Sequence, residues 1–183
     1  TLTLGLVLHG VTDKPYESTR EATAGPDVVA SVSGDPFLGQ PADLAALEAL
    51  ADAPGVIDSS GPYPLIGAEL EANGVTARNL RGEDVGGAGA RAQGRDPAAA
   101  AVDQPELTQG GWVRDGGVVV EAGFADALKL GVGDEITLRA RVCGLMIRGE
   151  EPGCRVVNRR SFEIAGVAVT AAASPYPGVC YGL

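Results

Sequence analysis

Hydrophobic positions change period most sharply over residues 116–138, GGVVVEAGFADALKLGVGDEITL. Val118, Val119 and Val120 form a β-branched run behind two glycines, which suits a buried strand. From Ala122 to Leu130 the spacing turns helical, with Phe124 and Leu128 four apart on one face. Gly131 is placed to cap that helix, because glycine enters the left-handed conformation without a Cβ penalty. Gly133-Asp134 then makes a tight structural turn, in which the Asp134 carboxylate is expected to accept from backbone donors. Ile136 and Leu138 alternate with Thr137 and Arg139 as the next strand. The unit is strand, short helix, Gly-Asp turn, strand.

The same criteria organise the rest of the chain. Residues 1–11, TLTLGLVLHGV, are apolar but shorter than the roughly 20 residues a membrane-crossing helix needs. They read as a core element, a terminal tail, or the outer end of a longer transmembrane helix. Asp13 to Gly25 is polar and reads as a connector. Asp27 to Val32 predicts a strand, and Leu44, Leu47 and Leu50 predict a helix with Pro41 as its first residue and Asp43 complementing its dipole. Pro54-Gly55 ends that helix, and Val56-Ile57 opens another strand. Leu65–Leu70 and Val75–Leu80 flank Asn73-Gly74, a strong hairpin signal. Residues 82–97 read as a glycine-rich surface loop and Ala98–Val102 as a short strand. Pro105–Trp112 leads into the 116–138 unit, with Trp112 at the core edge. Val142–Ile147 and Arg155–Val157 form a predicted hairpin, and Phe162–Val169 is the last strand. Many short strands interspersed with two short helices make the fold class α+β, with mixed small sheets.

Composition narrows the function. Hydrophobic residues are 45% of the chain but aromatics only 4%, so Ala, Val and Leu must fill the core. Lysine occurs only at Lys14 and Lys129; with the Ala and Gly excess this matches the coding bias of a high-GC genome. The net charge is −10, and no basic stripe for phosphate backbones is evident, which argues against nucleic acid as a partner.

Reactive chemistry is sparse. His9 is the only histidine, which leaves no base for a Ser, Cys or Thr nucleophile beyond that apolar terminal run. Glu83-Asp84, Glu150-Glu151 and Asp134-Glu135 are paired acids at turns or strand ends, where solvated carboxylates are the default. The glycine-rich loop lacks the Gly-Lys-Ser/Thr ending of a phosphate-binding loop, and no calcium-loop pattern is present. No catalytic, cofactor-binding or metal site emerges. Cys143 and Cys154 flank a turn-rich stretch, and hairpin pairing would bring them within disulfide reach; the other reading is two buried thiols. Cys180 is left over, either free or paired with a cysteine elsewhere.

Three blocks in fixed order carry a family resemblance: PADLAALEALADAPGVIDSS, LTQGGWVRDGGVVVEAGFADALKLGVGDEITL and SFEIAGVAV. With Gly111-Trp112, the strand ending at Glu121, the helix from Phe124 and the Gly133-Asp134 turn, they resemble the MacB-like periplasmic core domain of FtsX-type ABC transporter permeases, of the high-GC Gram-positive kind. The resemblance covers roughly residues 25–170. It implies a domain on the extracytoplasmic side of the cell membrane, with residues 1–12 the outer end of a transmembrane helix or an apolar N-terminal segment, and residues 13–183 an extracytoplasmic α+β domain after which either the rest of the domain or the next helix follows. It further implies a permease homodimer driven by a cytoplasmic ABC ATPase. Such a domain transmits motion to an exported substrate or an extracellular partner protein and is not itself an enzyme. That side of the membrane is oxidising, where a Cys143–Cys154 disulfide persists. The alternative expectation is a secreted, non-catalytic ligand- or protein-binding module.

Overall fold

The computed structural model describes residues 15–34, 40–72, 75–76, 90–143 and 154–171. Their chain divides into two compact units. One gathers the described residues up to Pro62, Ala98–Glu106 and those at 169–171; the other holds the described residues of Tyr63–Pro97 and Leu107–Ala168. The expectations for residues 1–12, Asn73-Gly74, residues 77–89, the turn at 144–153 and Cys180 lie outside the described residues.

The first unit contains α1 (Pro15–Ala22) and α2 (Leu44–Glu48), the latter continued by a 3-10 turn over Ala49–Asp52. α1 falls in the stretch expected to be a connector. Its polar sequence gives no apolar stripe, but proline at its first position, Glu17 in the first turn and Arg20 in the last all favour a helix. Beyond its end Thr23 is fully buried, donating its hydroxyl to the Thr19 carbonyl at 2.8 Å. The loop at 98–106 is tied there by Asp103 N–H to Ala24 O (2.8 Å) and Gln104 N–H to Thr23 O (2.9 Å). That loop is bent, not the expected strand, and Gln104 Oε1 accepts the Ala100 N–H that a ladder would have used.

α2 starts later than Pro41. Asp43 is its N-cap, its side chain accepting from Ala46 N–H at 3.0 Å, so the aspartate does more than complement a dipole. The strands expected on either side of α2 do not form. Val28, Val29 and Ile57 are 82%, 72% and 94% exposed, and no neighbour completes a ladder for them. β-branched residues favour extended backbone, but a strand exists only where another chain segment takes its hydrogen bonds.

The second unit carries the core. Its strands are β1 (Leu65–Ala72), β2 (Val75–Thr76), β3 (Ala90–Gln93), β4 (Glu106–Gly110), β5 (Gly117–Glu121), β6 (Glu135–Cys143) and β7 (Cys154–Val169). They belong to one seven-stranded sheet running β2-β1-β6-β7-β4, with β3 added to β1 and β5 to β7. The architecture is therefore α+β, built on a single sheet where several small ones were expected, and with three short helices among the described residues. β3 lies inside the expected glycine-rich loop. Its sequence ARAQ has little strand preference, but antiparallel pairing with Leu65–Ala68 holds it, and Gly94 N–H to Pro64 O (2.8 Å) closes the end.

β7 is the spine. Two segments expected as separate strands are one of 16 residues, and β6 runs unbroken from the strand expected at Ile136 and Leu138 into Val142-Cys143, the described start of the segment expected at 142–147. β6 pairs antiparallel with the first part of β7, while β5 runs parallel to the second. Two residues of β7 fall out of register. Val157 is skipped opposite β6, and Ala165 is skipped opposite β5. The Ala165 carbonyl instead accepts from Gly111 N–H at 2.9 Å, drawing in the chain that leaves β4. This close approach requires glycine on both sides. A Cβ on Gly110 would sit 2.3 Å from Ala165 O, and one on Gly166 would sit 2.3 Å from Gly111 O.

One face of β1, β6 and β7 is apolar. Leu70, Ala72, Ile136, Ile164 and Val167 are buried there with Val120 of β5. α3 (Ala122–Leu128) covers them with Ala125, aided by Phe124 and Leu128, and Leu130 joins just after. α3 ends at Lys129, not at Gly131. Lys129 takes the left-handed conformation (φ 57°), with its N–H on Asp126 O at 3.2 Å, while Leu130 N–H bonds Ala125 O at 2.9 Å. This is a Schellman closure, and its apolar member explains the position: Leu130 must turn back into the core beside Ala125.

Candidate functional site

The expected structural turn lies where it joins the core unit to β7. Gly133 has φ 93°, and Asp134 Oδ2 accepts from Gly131 N–H at 2.7 Å. The backbone of the same turn grips β7 from both directions: Gly133 N–H donates to Ile164 O (2.9 Å) and Ile164 N–H to Asp134 O (2.8 Å). Asp134 is thereby a turn former, and Glu135 beside it is exposed at the start of β6. The other acid pairs, Glu83-Asp84 and Glu150-Glu151, lie outside the described residues, as does His9. Cys143 and Cys154 are direct register partners at the far ends of β6 and β7. Their side chains are not among those described.

A charged ladder occupies the polar face of the sheet, opposite the core. Glu69 of β1 faces Arg139 of β6, which in turn faces Arg159 of β7. Arg139 Nε lies 3.9 Å from Glu69 Oε2, and its Nη1 lies 3.8 Å from Glu71 Oε2. Arg159 Nη2 reaches Glu71 Oε1 at 3.1 Å. One rung along, Thr137 and Ser161 join hydroxyls at 2.8 Å, with Thr137 only 6% exposed. Farther along the strand, Arg114 pairs with Glu163. Two cations directly opposed on neighbouring strands repel, and Glu71, reaching both, offsets that. The ladder balances its charges internally. Sequence inspection missed it, although Glu69 and Glu71 alternate with Leu70 and Ala72 as Arg139 and Arg141 alternate with Leu138 and Ala140.

Two smaller features complete the polar surface of this unit. Arg95 stacks over the Tyr63 ring, 4.3 Å from its centroid, and Trp112 donates its indole N–H to Asp96 O at 3.0 Å. Trp112 is half-buried. The first unit has a shallow open groove lined by Glu17, Arg20, Glu21, Ala24 and Gly25, in which Arg20 pairs with Asp27. Among the described residues, no three His, Cys, Asp or Glu side chains gather as a metal would require, and every buried side-chain nitrogen or oxygen has a hydrogen-bond partner. No described helix is long and apolar enough to cross a membrane. Compared with protein-family models and with curated proteins, the chain finds no match in either.

Proposed function

We propose that this chain is the extracytoplasmic domain of an ABC transporter permease of the FtsX/MacB type, with a MacB periplasmic-core-like fold. It passes the motion of a cytoplasmic ATPase to an exported substrate or an extracellular partner, within a permease dimer. The observation that carries the reading is the assembly of its second and third sequence blocks. β5, α3, the Gly133-Asp134 turn and β6 form one continuous unit, and both of its strands are laid on β7, whose second half is the SFEIAGVAV block. The first block contributes only its helix, since the strands expected around α2 are absent from the described residues.

Stiffness supports the same reading. A motion-transmitting part needs elements that move as one body, and here a 16-residue strand binds β4, β5 and β6 together while charged rungs cross-brace β1, β6 and β7. No step of this role calls for a nucleophile or a bound cofactor.

The complete gene product provides the test. Expressed in its own host with an affinity tag, it should fractionate with the membrane, expose this domain to protease only from outside, and co-purify with an ABC ATPase subunit. A gene product that is released by a signal peptidase and carries no transmembrane helices would overturn the proposal in favour of a secreted binding module.

A further inference from the structure

We infer that Cys143 and Cys154 form a cross-strand disulfide, and that the bulge at Val157 is what makes it possible. Along the inner half of the β6–β7 hairpin, Ile136 faces Phe162 and Ala140 faces Asn158. Continued without interruption, that register would set Cys143 opposite Arg155. The two cysteines would then stand one residue apart in register and so on opposite faces of the ribbon. Val157 breaks the count. Arg141 faces Val156, Val142 faces Arg155, and Cys143 faces Cys154.

Directly opposed residues in an antiparallel pair have Cα atoms about 4.5–5.5 Å apart, whichever of the two pair types they occupy. A disulfide spans Cα separations of about 4.4–6.8 Å, so directly opposed residues of either pair type fall within the reach of the bond. Direct opposition also places both residues on one face. From sequence, a hairpin between the two cysteines was compatible with several registers, and only the bulge selects this one. The position matters as well. β1 pairs with β6 only as far as Arg139, so among the described residues the outer part of the hairpin is a two-stranded arm, the arrangement least able to hold itself together. The bond would clamp that arm at its tip.

The chemistry is ordinary thiol–disulfide exchange. One cysteine thiolate attacks a sulfur of an oxidising disulfide, forming a mixed disulfide and releasing one thiol. The second cysteine then attacks the protein-bound sulfur and releases the other thiol. Two electrons leave the cysteine pair, and the two protons lost from it end on the released thiols. Formation in the cell rests on the extracytoplasmic reading above; the pairing rests on the register alone.

The three cysteines fall in three tryptic peptides, Val142–Arg148, Gly149–Arg155 and Ser161–Leu183, so each possible pairing has its own mass. The reduced, folded chain is equilibrated with oxidised and reduced glutathione, quenched with an alkylating agent, digested and weighed. The expected species is the first peptide joined to the second, with Cys180 alkylated. Its equilibrium constant should exceed that of the same chain in 8 M urea by roughly tenfold or more, because folding has already set the two residues in place. Alkylation of both Cys143 and Cys154, a bond from either to Cys180, or an equilibrium constant unchanged by urea would each refute the pairing. A second arm traps the thiols in the native host. A reduced pair there, with the bond forming in glutathione, would count against the extracytoplasmic reading and leave the pairing standing.

Discussion

Thr137 and Ser161 face each other across β6 and β7 and share a 2.8 Å hydroxyl–hydroxyl bond, although one side chain is buried and the other open to water. Their asymmetry makes the pair measurable. Ser161→Ala strips the buried Thr137 hydroxyl of its partner and should cost about 1–2 kcal/mol in urea-induced unfolding. Adding Thr137→Val removes the orphaned hydroxyl too, so the double variant is expected to recover most of that loss. A double variant that merely sums two destabilisations would mean the bond is incidental.

Glu71 holds the two opposed arginines of the ladder. Glu71→Gln should lower stability by about 1 kcal/mol at low ionic strength, since Arg139 and Arg159 then face each other without the carboxylate that reaches both. Salt screens that repulsion, so the deficit should shrink in 1 M sodium chloride, where charges are screened beyond about 3 Å. Paired denaturation curves at the two salt concentrations give the answer, and a salt-independent loss would point to packing.

The close crossing of β4 over β7 depends on an absent methyl group. Gly166→Ala brings a Cβ against the carbonyls of Gly111 and Gln109, at 2.3 and 3.0 Å, both of them backbone. The expected loss is about 2–3 kcal/mol, in the range of core overpacking. Gly131→Ala is the control, because a Cβ there meets nothing nearer than Asp134 Oδ2 at 4.0 Å and the backbone is not left-handed. It should leave the unfolding midpoint nearly unchanged.

Both ends of α3 can be tuned in opposite directions. Glu121 Oε2 accepts from Phe124 N–H at 2.9 Å, and Glu121→Ala should cost about 1 kcal/mol. At the other end Lys129 occupies a conformation that side chains avoid, so Lys129→Gly should stabilise by about 0.5–1 kcal/mol despite the freer unfolded chain. Thermal unfolding by circular dichroism reads both signs.

What the sequence disclosed follows from how local each cause is. The 116–138 unit was legible because Val118–Val120, Phe124, Leu128 and Gly133 state their roles within a few residues of one another. Even there the helix end was misplaced, since Lys129 turns left-handed to serve Leu130, whose burial depends on the distant Ala72 and Ile164 neighbourhood. Strands at Asp27–Val32 and Val56-Ile57 had the right residues and no partner. β3 had unpromising residues and a partner in Leu65–Ala68. The ladder from Glu69 to Arg159 and the bulge at Val157 are properties of pairing between remote segments, and no window along the chain contains them.

The place of β7 in the chain sets the order in which the protein can be made. β4, β5 and β6 all pair with a strand that follows them, and Gly117 waits for Glu163. A ribosome adding about 5–20 residues per second needs several seconds to cover that interval. When the Val118–Val120 segment emerges, its partner in β7 has yet to follow it, and in that form it is prone to pair with a neighbouring nascent chain. The core unit therefore cannot close during most of its own synthesis. Its yield in any host should depend on how well that single valine run is shielded until the last strand arrives.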